Sequence, residues 1–121
     1  MKYLLFAESK TSNVIVLSPS KQDGPYNDFF IIDNGKVSHN EYNQLNITQE
    51  NLFIYFDESF YDYFIYNEKT LVNKNEIGYD YVFIEIPERD EFAKNYKNIM
   101  KHAIAKAKRE FAELKLLKEI I

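Results

Sequence analysis

The last 35 residues constrain this chain more than any other stretch, because hydrophobic period, charge and terminal signals all agree there on one long amphipathic helix over 87–121. At about 100° per residue, Phe92, Tyr96, Ile99, Met100, Ala103, Ile104, Ala107, Phe111, Leu114, Leu117 and Ile121 gather on one face. Lys94, Lys97, Lys101, Lys108 and Lys115 gather on the other. Pro87 suits a first helical turn, where its missing N–H interrupts no hydrogen bond. Glu88, Asp90 and Glu91 then stand at the positive end of the helix dipole, with Lys115 and Lys118 at the negative end.

Such a helix is a rod of roughly 48 Å at about 1.5 Å rise per residue. A compact domain of this length is only about 35 Å across. Unless the rod breaks, its last turns overhang the body, leaving Leu114, Leu116, Leu117, Ile120 and Ile121 too apolar for water. A partner is the simplest cover and a second copy of the chain the simplest partner, so a homodimer is expected, with Leu114, Leu117 and Ile121 as its self-association residues.

A chain of 121 residues is long enough for one core and short for two. The expectation is a single domain over 1–121, with a β-rich acidic body over 1–86 and the basic helix over 87–121. Apolar content of 45% and aromatic content of 17% predict a folded globule. With no cysteine, disulfides, thiolate nucleophiles and cysteine-bound zinc are excluded. The apolar run over 3–7 stops at Glu8, too short for a signal-peptide core, and no run approaches a membrane span. An intracellular protein in the cytoplasm of a bacterial host, making no membrane contact, is therefore expected.

The net charge of −4 conceals a division. Residues 1–90 hold 7 basic and 15 acidic side chains, net −8, whereas 91–121 hold 8 basic and 4 acidic, net +4. Either the chain meets a charged partner or its basic helix lies against its own acidic body.

Ahead of the helix, the short apolar runs over 2–8 and 13–17, rich in Val and Ile, predict two strands joined as a hairpin. Pro19, Asp23, Gly24 and Pro25 mark a loop. Residues 28–33 predict a third strand, which ends at Asn34-Gly35, a dipeptide tolerant of positive φ, so that 36–38 return antiparallel. Residues 38–49 read as an irregular Asn-rich loop or a short helical turn. Residues 52–56 and 60–66 are expected to pair as strands around Asp57-Glu58-Ser59, and 79–86 is the most strand-like run of all. The fold class is α+β, with a mostly antiparallel sheet of about six strands followed by one long C-terminal amphipathic helix.

These strands are apolar on both faces. In the last, Tyr79, Tyr81 and Phe83 oppose Val82, Ile84 and Ile86. One helix covers one face. The aliphatic side is its natural seat, which leaves the tyrosine side to curl on itself, pair with a second subunit or bind a target. Tyrosines there alternate with carboxylates, and Asp57, Glu58, Tyr61, Asp62, Tyr63, Tyr79, Asp80 and Tyr81 are the candidate protein-binding residues. Tyrosine gives wide apolar area and one hydroxyl at little entropic cost. An acidic surface of this kind suits a basic partner, such as a nucleic-acid-handling protein.

The alternative function uses the helix: Lys94, Lys97, Lys101, Lys108 and Lys115 can neutralise nucleic-acid phosphates without reading sequence. Only Arg109 is suited to a bidentate base contact, and no DNA- or RNA-binding motif surrounds it. An enzyme is least supported. His39 beside Glu41 is the one combination that orients an imidazole, while His102 sits on the helix flank. Two histidines apart from any acidic cluster make no metal site, and three scattered glycines make no phosphate cradle, so no catalytic residue, metal or cofactor is expected. Heavy use of Lys, Asn, Ile, Tyr and Phe points to an AT-rich coding sequence of the kind shared by low-GC bacteria, their phages and mobile elements. The expected role is a non-catalytic protein-binding module of the small-inhibitor type.

Overall fold

In a computed structural model, the described residues are 1–8, 14–17, 19, 29–33, 36–39, 56, 58–69 and 80–120. They form strands β1 (Lys2–Glu8), β2 (Val14–Leu17), β3 (Phe29–Asp33) and β4 (Lys36–His39), then helix α1 (Glu58–Phe64), strand β5 (Asp80–Ile86) and helices α2 (Arg89–Lys94) and α3 (Tyr96–Ile120).

The strands make one antiparallel sheet in the order β4-β3-β2-β1-β5. Its arrangement follows from the side chains. Leu4, Leu5, Phe6 and Ala7 of β1 and all of β2 are buried, irrespective of the face they point to. Unbroken apolar runs of this kind need cover on both sides, which only interior strands receive. Lys36-Val37-Ser38-His39 is short and polar, and it takes an edge, where pairing ends. Asp33 pairs with Lys36, leaving two residues between them, as the Asn-Gly dipeptide predicts.

One face of the sheet presents Leu4, Phe6, Val14, Val16, Ile32, Val82, Ile84 and Ile86 to the three helices. From α3, Met100, Ala103, Ile104, Ala107 and Phe111 close over it, and from α2, Phe92. The aliphatic side of β5 is thus the helix seat, as its alternation predicts. The other face buries Leu5, Ala7, Ile15 and Leu17 within the single chain, with Tyr66 among them and Tyr3, Tyr81 and Phe83 half-buried against them. The centre of that face is thus already out of water.

Three expectations are corrected. Residues 60–66 are not a strand, and the count of about six strands is not supported; Glu58–Phe64 is helical. With aromatics at both odd and even positions the run shows no alternation, so period 2 had no real hold on it. Phe60, Tyr61 and Phe64 instead share a helical face, with Phe60 stacked on Phe64 at 4.6 Å and Phe56 edge-on to Phe60 at 4.7 Å. The expected strand partner over 52–55 lies outside the described residues, as do 40–51 and 70–79.

The long helix is also two helices. It begins at Arg89, with Glu88 as its cap residue and Pro87 just outside, and it breaks at Asn95, whose φ of −148° and ψ of 36° are not helical. The Asn95 amide donates to the Phe92 carbonyl at 3.1 Å and its own carbonyl accepts from the Ile99 amide at 3.1 Å, so one residue ends α2 and starts α3. Asn98 Nδ2 also donates to Asn95 Oδ1 at 3.0 Å. Asparagine competes for backbone geometry through such local bonds and is at home at a helix start.

The body is tied to this corner by α1. Tyr61 sits 5.0 Å from the Phe92 ring and its hydroxyl donates to the Pro87 carbonyl at 3.2 Å. Arg89 Nε and Nη2 donate to the two carboxylate oxygens of Asp62 at 2.8 and 3.3 Å. After α1 the chain reaches Tyr66, which bonds reciprocally with Tyr3 at 2.9 and 2.8 Å on the flank of β1 beyond the end of β2.

Candidate functional site

Beyond Phe111, which is 3% exposed, every described residue of α3 lies in solvent. These nine residues, 112–120, form two and a half turns and extend roughly 13 Å at about 1.5 Å rise per residue. They hold Leu114, Leu116, Leu117 and Ile120, which are 36%, 58%, 55% and 81% exposed. The overhang expected from the length argument is therefore present even though the rod breaks at Asn95. The break removes only the first turns, and the distal turns of α3 stay exposed.

The projecting face continues the buried one only in part. Projected at about 100° per residue, Leu114 falls within the stripe formed by Met100, Ala103, Ile104, Ala107 and Phe111, Leu117 lies about 95° from its middle, and Leu116 and Ile120 lie about 155–165° from it. Leu114 lies nearest that stripe and is the least exposed of the four. A helix end that merely frayed from its own core would keep its apolar face in line with that core. Here Leu116 and Ile120, one turn apart, turn away from it, and the sequence reading had not counted them among the self-association residues. Ile121 lies outside the described residues.

The candidate tyrosine surface is divided. Tyr61 is 5% exposed and belongs to the core beneath α2. Burial raises its pKa above the ordinary tyrosine value, and Glu88 and Asp62 add to the shift, while Arg89 opposes it. Asp62 and Tyr63 remain at the surface of α1, the former paired with Arg89 and the latter 38% exposed. Tyr81 is half-buried on the second face of the sheet. Asp57 and Tyr79 lie outside the described residues. Glu58 and Asp80 are placed by their backbones, at the start of α1 and of β5. The structure therefore brings Asp62 and Tyr63 together and separates both from Tyr81. The even alternation along a strand that would have joined them is replaced by a helix.

The second face holds a compact aromatic cluster, with Phe83 edge-on to Tyr3 at 6.1 Å and to Tyr66 at 5.6 Å, and Lys69 Nζ 5.4 Å from the centre of the Tyr3 ring. Burial, with a smaller contribution from Tyr81, pushes the Tyr66 hydroxyl strongly up from its ordinary pKa.

Lys97, Lys101, Lys108 and Lys115 are all exposed along α3, and Lys94 closes α2 on the far side of the break. His102 is exposed, and His39 ends β4. Among the described residues no three His, Cys, Asp or Glu side chains are grouped as a metal site. No helix of the described residues is long and apolar enough to cross a membrane.

No protein-family model, no curated protein and no solved structure matches this chain.

Proposed function

We propose that this chain is a non-catalytic protein-binding module that docks through the last turns of α3, and that its first partner is a second copy of itself. The observation that supports this is the run of nine solvent-exposed residues bearing Leu114, Leu116, Leu117 and Ile120, of which Leu116 and Ile120 turn away from the core. Aliphatic side chains at these exposures keep a standing hydrophobic cost that association removes.

The choice of partner follows from what the body lacks. Among the described residues, the only other large hydrophobics exposed beyond a third are Met1 and Tyr63. They form no apolar patch able to receive the distal turns of another molecule. Like-with-like contact about a two-fold axis meets the need, since the same patch then serves both sides. Two protomers joined at their projecting ends keep their bodies apart, which leaves Asp62 and Tyr63 available to a further, basic partner. Acting by occupation of a partner's surface is the mode of a small inhibitor.

Light scattering on the purified chain over a concentration series tests the pairing. A mass that rises from one protomer to two is the expected result. A single protomer at the highest attainable concentration refutes it.

A further inference from the structure

We infer that the lysine face of α3 is a docking surface for the phosphate backbone of nucleic acid. A break at Asn95 removes Lys94 from the set and leaves one continuous helix carrying Lys97, Lys101, Lys108 and Lys115, all exposed. At about 100° and 1.5 Å per residue the four lie within about 40° of one another, in a row roughly 27 Å long. Lys101, Lys108 and Lys115 recur every seventh residue, so the row stays nearly straight, about 10.5 Å from one to the next.

The surroundings of the row distinguish it from an ordinary solvated face. Surface lysines on a helix are commonly matched by a carboxylate three or four residues away. Here Lys97 and Lys101 stand one turn apart as a like-charge pair, which opposes helix formation. Glu110 and Glu113 project to the other side of the axis, and only Lys115 has a carboxylate at helical spacing, Glu119, four residues on at the end of the row. Among the described residues none of the four lysines forms an ion pair. The exposed residues between them on this face include Ala105 and Ala112, which do not hold an approaching surface off.

A straight row of regularly spaced point charges fits a polymer of regularly spaced anions. It does not fit an anionic bilayer equally well: Leu114, Leu117 and Ile120 lie more than about 110° round the axis from the row and Leu116 about 85°, so a membrane touching the lysines receives little apolar insertion. Lysine in place of arginine gives neutralisation without bidentate base contacts, so binding is blind to sequence. Because each exposed distal aliphatic lies about 85° or more round the axis from the row, this inference does not depend on the chain pairing with itself.

The test is fluorescence polarisation with a labelled duplex of arbitrary sequence, at several salt concentrations. With up to four phosphates neutralised, the logarithm of the binding constant should fall with the logarithm of salt at a slope approaching about −3.6, an affinity loss of about 150-fold between about 50 and 200 mM salt. Replacing Lys101, Lys108 and Lys115 by Gln should reduce the slope to about −1. Replacing Lys106 and Arg109, on the opposite flank, by Gln should leave slope and affinity near those of the parent. Circular dichroism of each variant confirms an intact fold. No polarisation change at low salt overturns the inference, and so does equal loss in the two sets of variants, which reports net charge and no row. Tight binding to anionic lipid vesicles with none to the duplex also overturns it, in favour of a membrane surface.

Discussion

Replacing Leu117 and Ile120 together by Ser tests the projecting face in the most quantitative way. The two side chains are 55% and 81% exposed, and complete burial of one aliphatic side chain contributes about 1.5–3 kcal/mol. Scaled by those exposures, a lone molecule leaves about 2–4 kcal/mol unrealised at these two positions. A symmetric pair removes it on both sides, about 4–8 kcal/mol in all. At about 1.4 kcal/mol per decade, the lower figure weakens dimerisation by roughly a thousandfold. Nothing comparable should happen to the fold, because neither residue touches the core. Apart from a small loss of helix propensity, the stability of the dilute monomer should stay within about 0.5 kcal/mol of the parent. Sedimentation velocity across a wide concentration range reads the first quantity and urea unfolding at low concentration the second. The reasoning fails if parent and variant sediment alike at every concentration. It fails equally if the urea midpoint of the dilute variant collapses, since the two residues would then belong to the fold of the single chain.

Other consequences concern the core and its edges. Phe92 is fully buried against Tyr61, and Phe92→Ala should cost about 3–5 kcal/mol in urea unfolding, enough to unfold a marginal domain. The Arg89–Asp62 pair has good geometry but sits about half in solvent, so Asp62→Asn should change stability by no more than about 1 kcal/mol and the change should shrink in high salt. The tyrosines set an alkaline limit. Tyr61 and Tyr66 have folded-state pKa values above the ordinary one of about 10, so the stability they contribute is complete below that pH and is lost as pH rises toward the folded values. Urea midpoints should therefore fall above about pH 10, and Tyr66→Phe should make that fall shallower. A parallel loss in the Phe variant would place the alkaline transition elsewhere.

Much of this architecture is legible in the residues. Val14-Ile15-Val16-Leu17 and Leu4-Leu5-Phe6-Ala7 are apolar on both faces, and only an interior strand satisfies that pattern. Asn34-Gly35 sets a two-residue connection, and β5 shows which of its faces takes the helix by separating Val82, Ile84 and Ile86 from Tyr81 and Phe83. The overhang is legible too, because rise per residue and the size of a compact domain are both fixed by length.

Other features had no local signature. The run Phe60-Tyr61-Asp62-Tyr63-Phe64 fits either period, and helix won because Phe60, Tyr61 and Phe64 find Phe56, Phe92 and the sheet on one side. Twenty-seven residues separate Asp62 from Arg89 and twenty-six separate Tyr61 from Pro87, so no spacing rule within one element reveals either bond. Asn95 is one weak helix former in a strongly periodic stretch, and whether such a residue bends a helix or ends it depends on what Phe92 and Met100 must each reach.

The sequence by itself determined the α+β class, the two-sided apolar strands and the excess length of the last helix, since these follow from period, composition and chain geometry. Only the tertiary structure decided that the second sheet face closes within the chain, that Tyr61 is core and Asp62 surface, and that the distal leucines of α3 stay exposed. Burial depends on which distant segments meet, and a linear pattern specifies what a face is made of without specifying what will cover it.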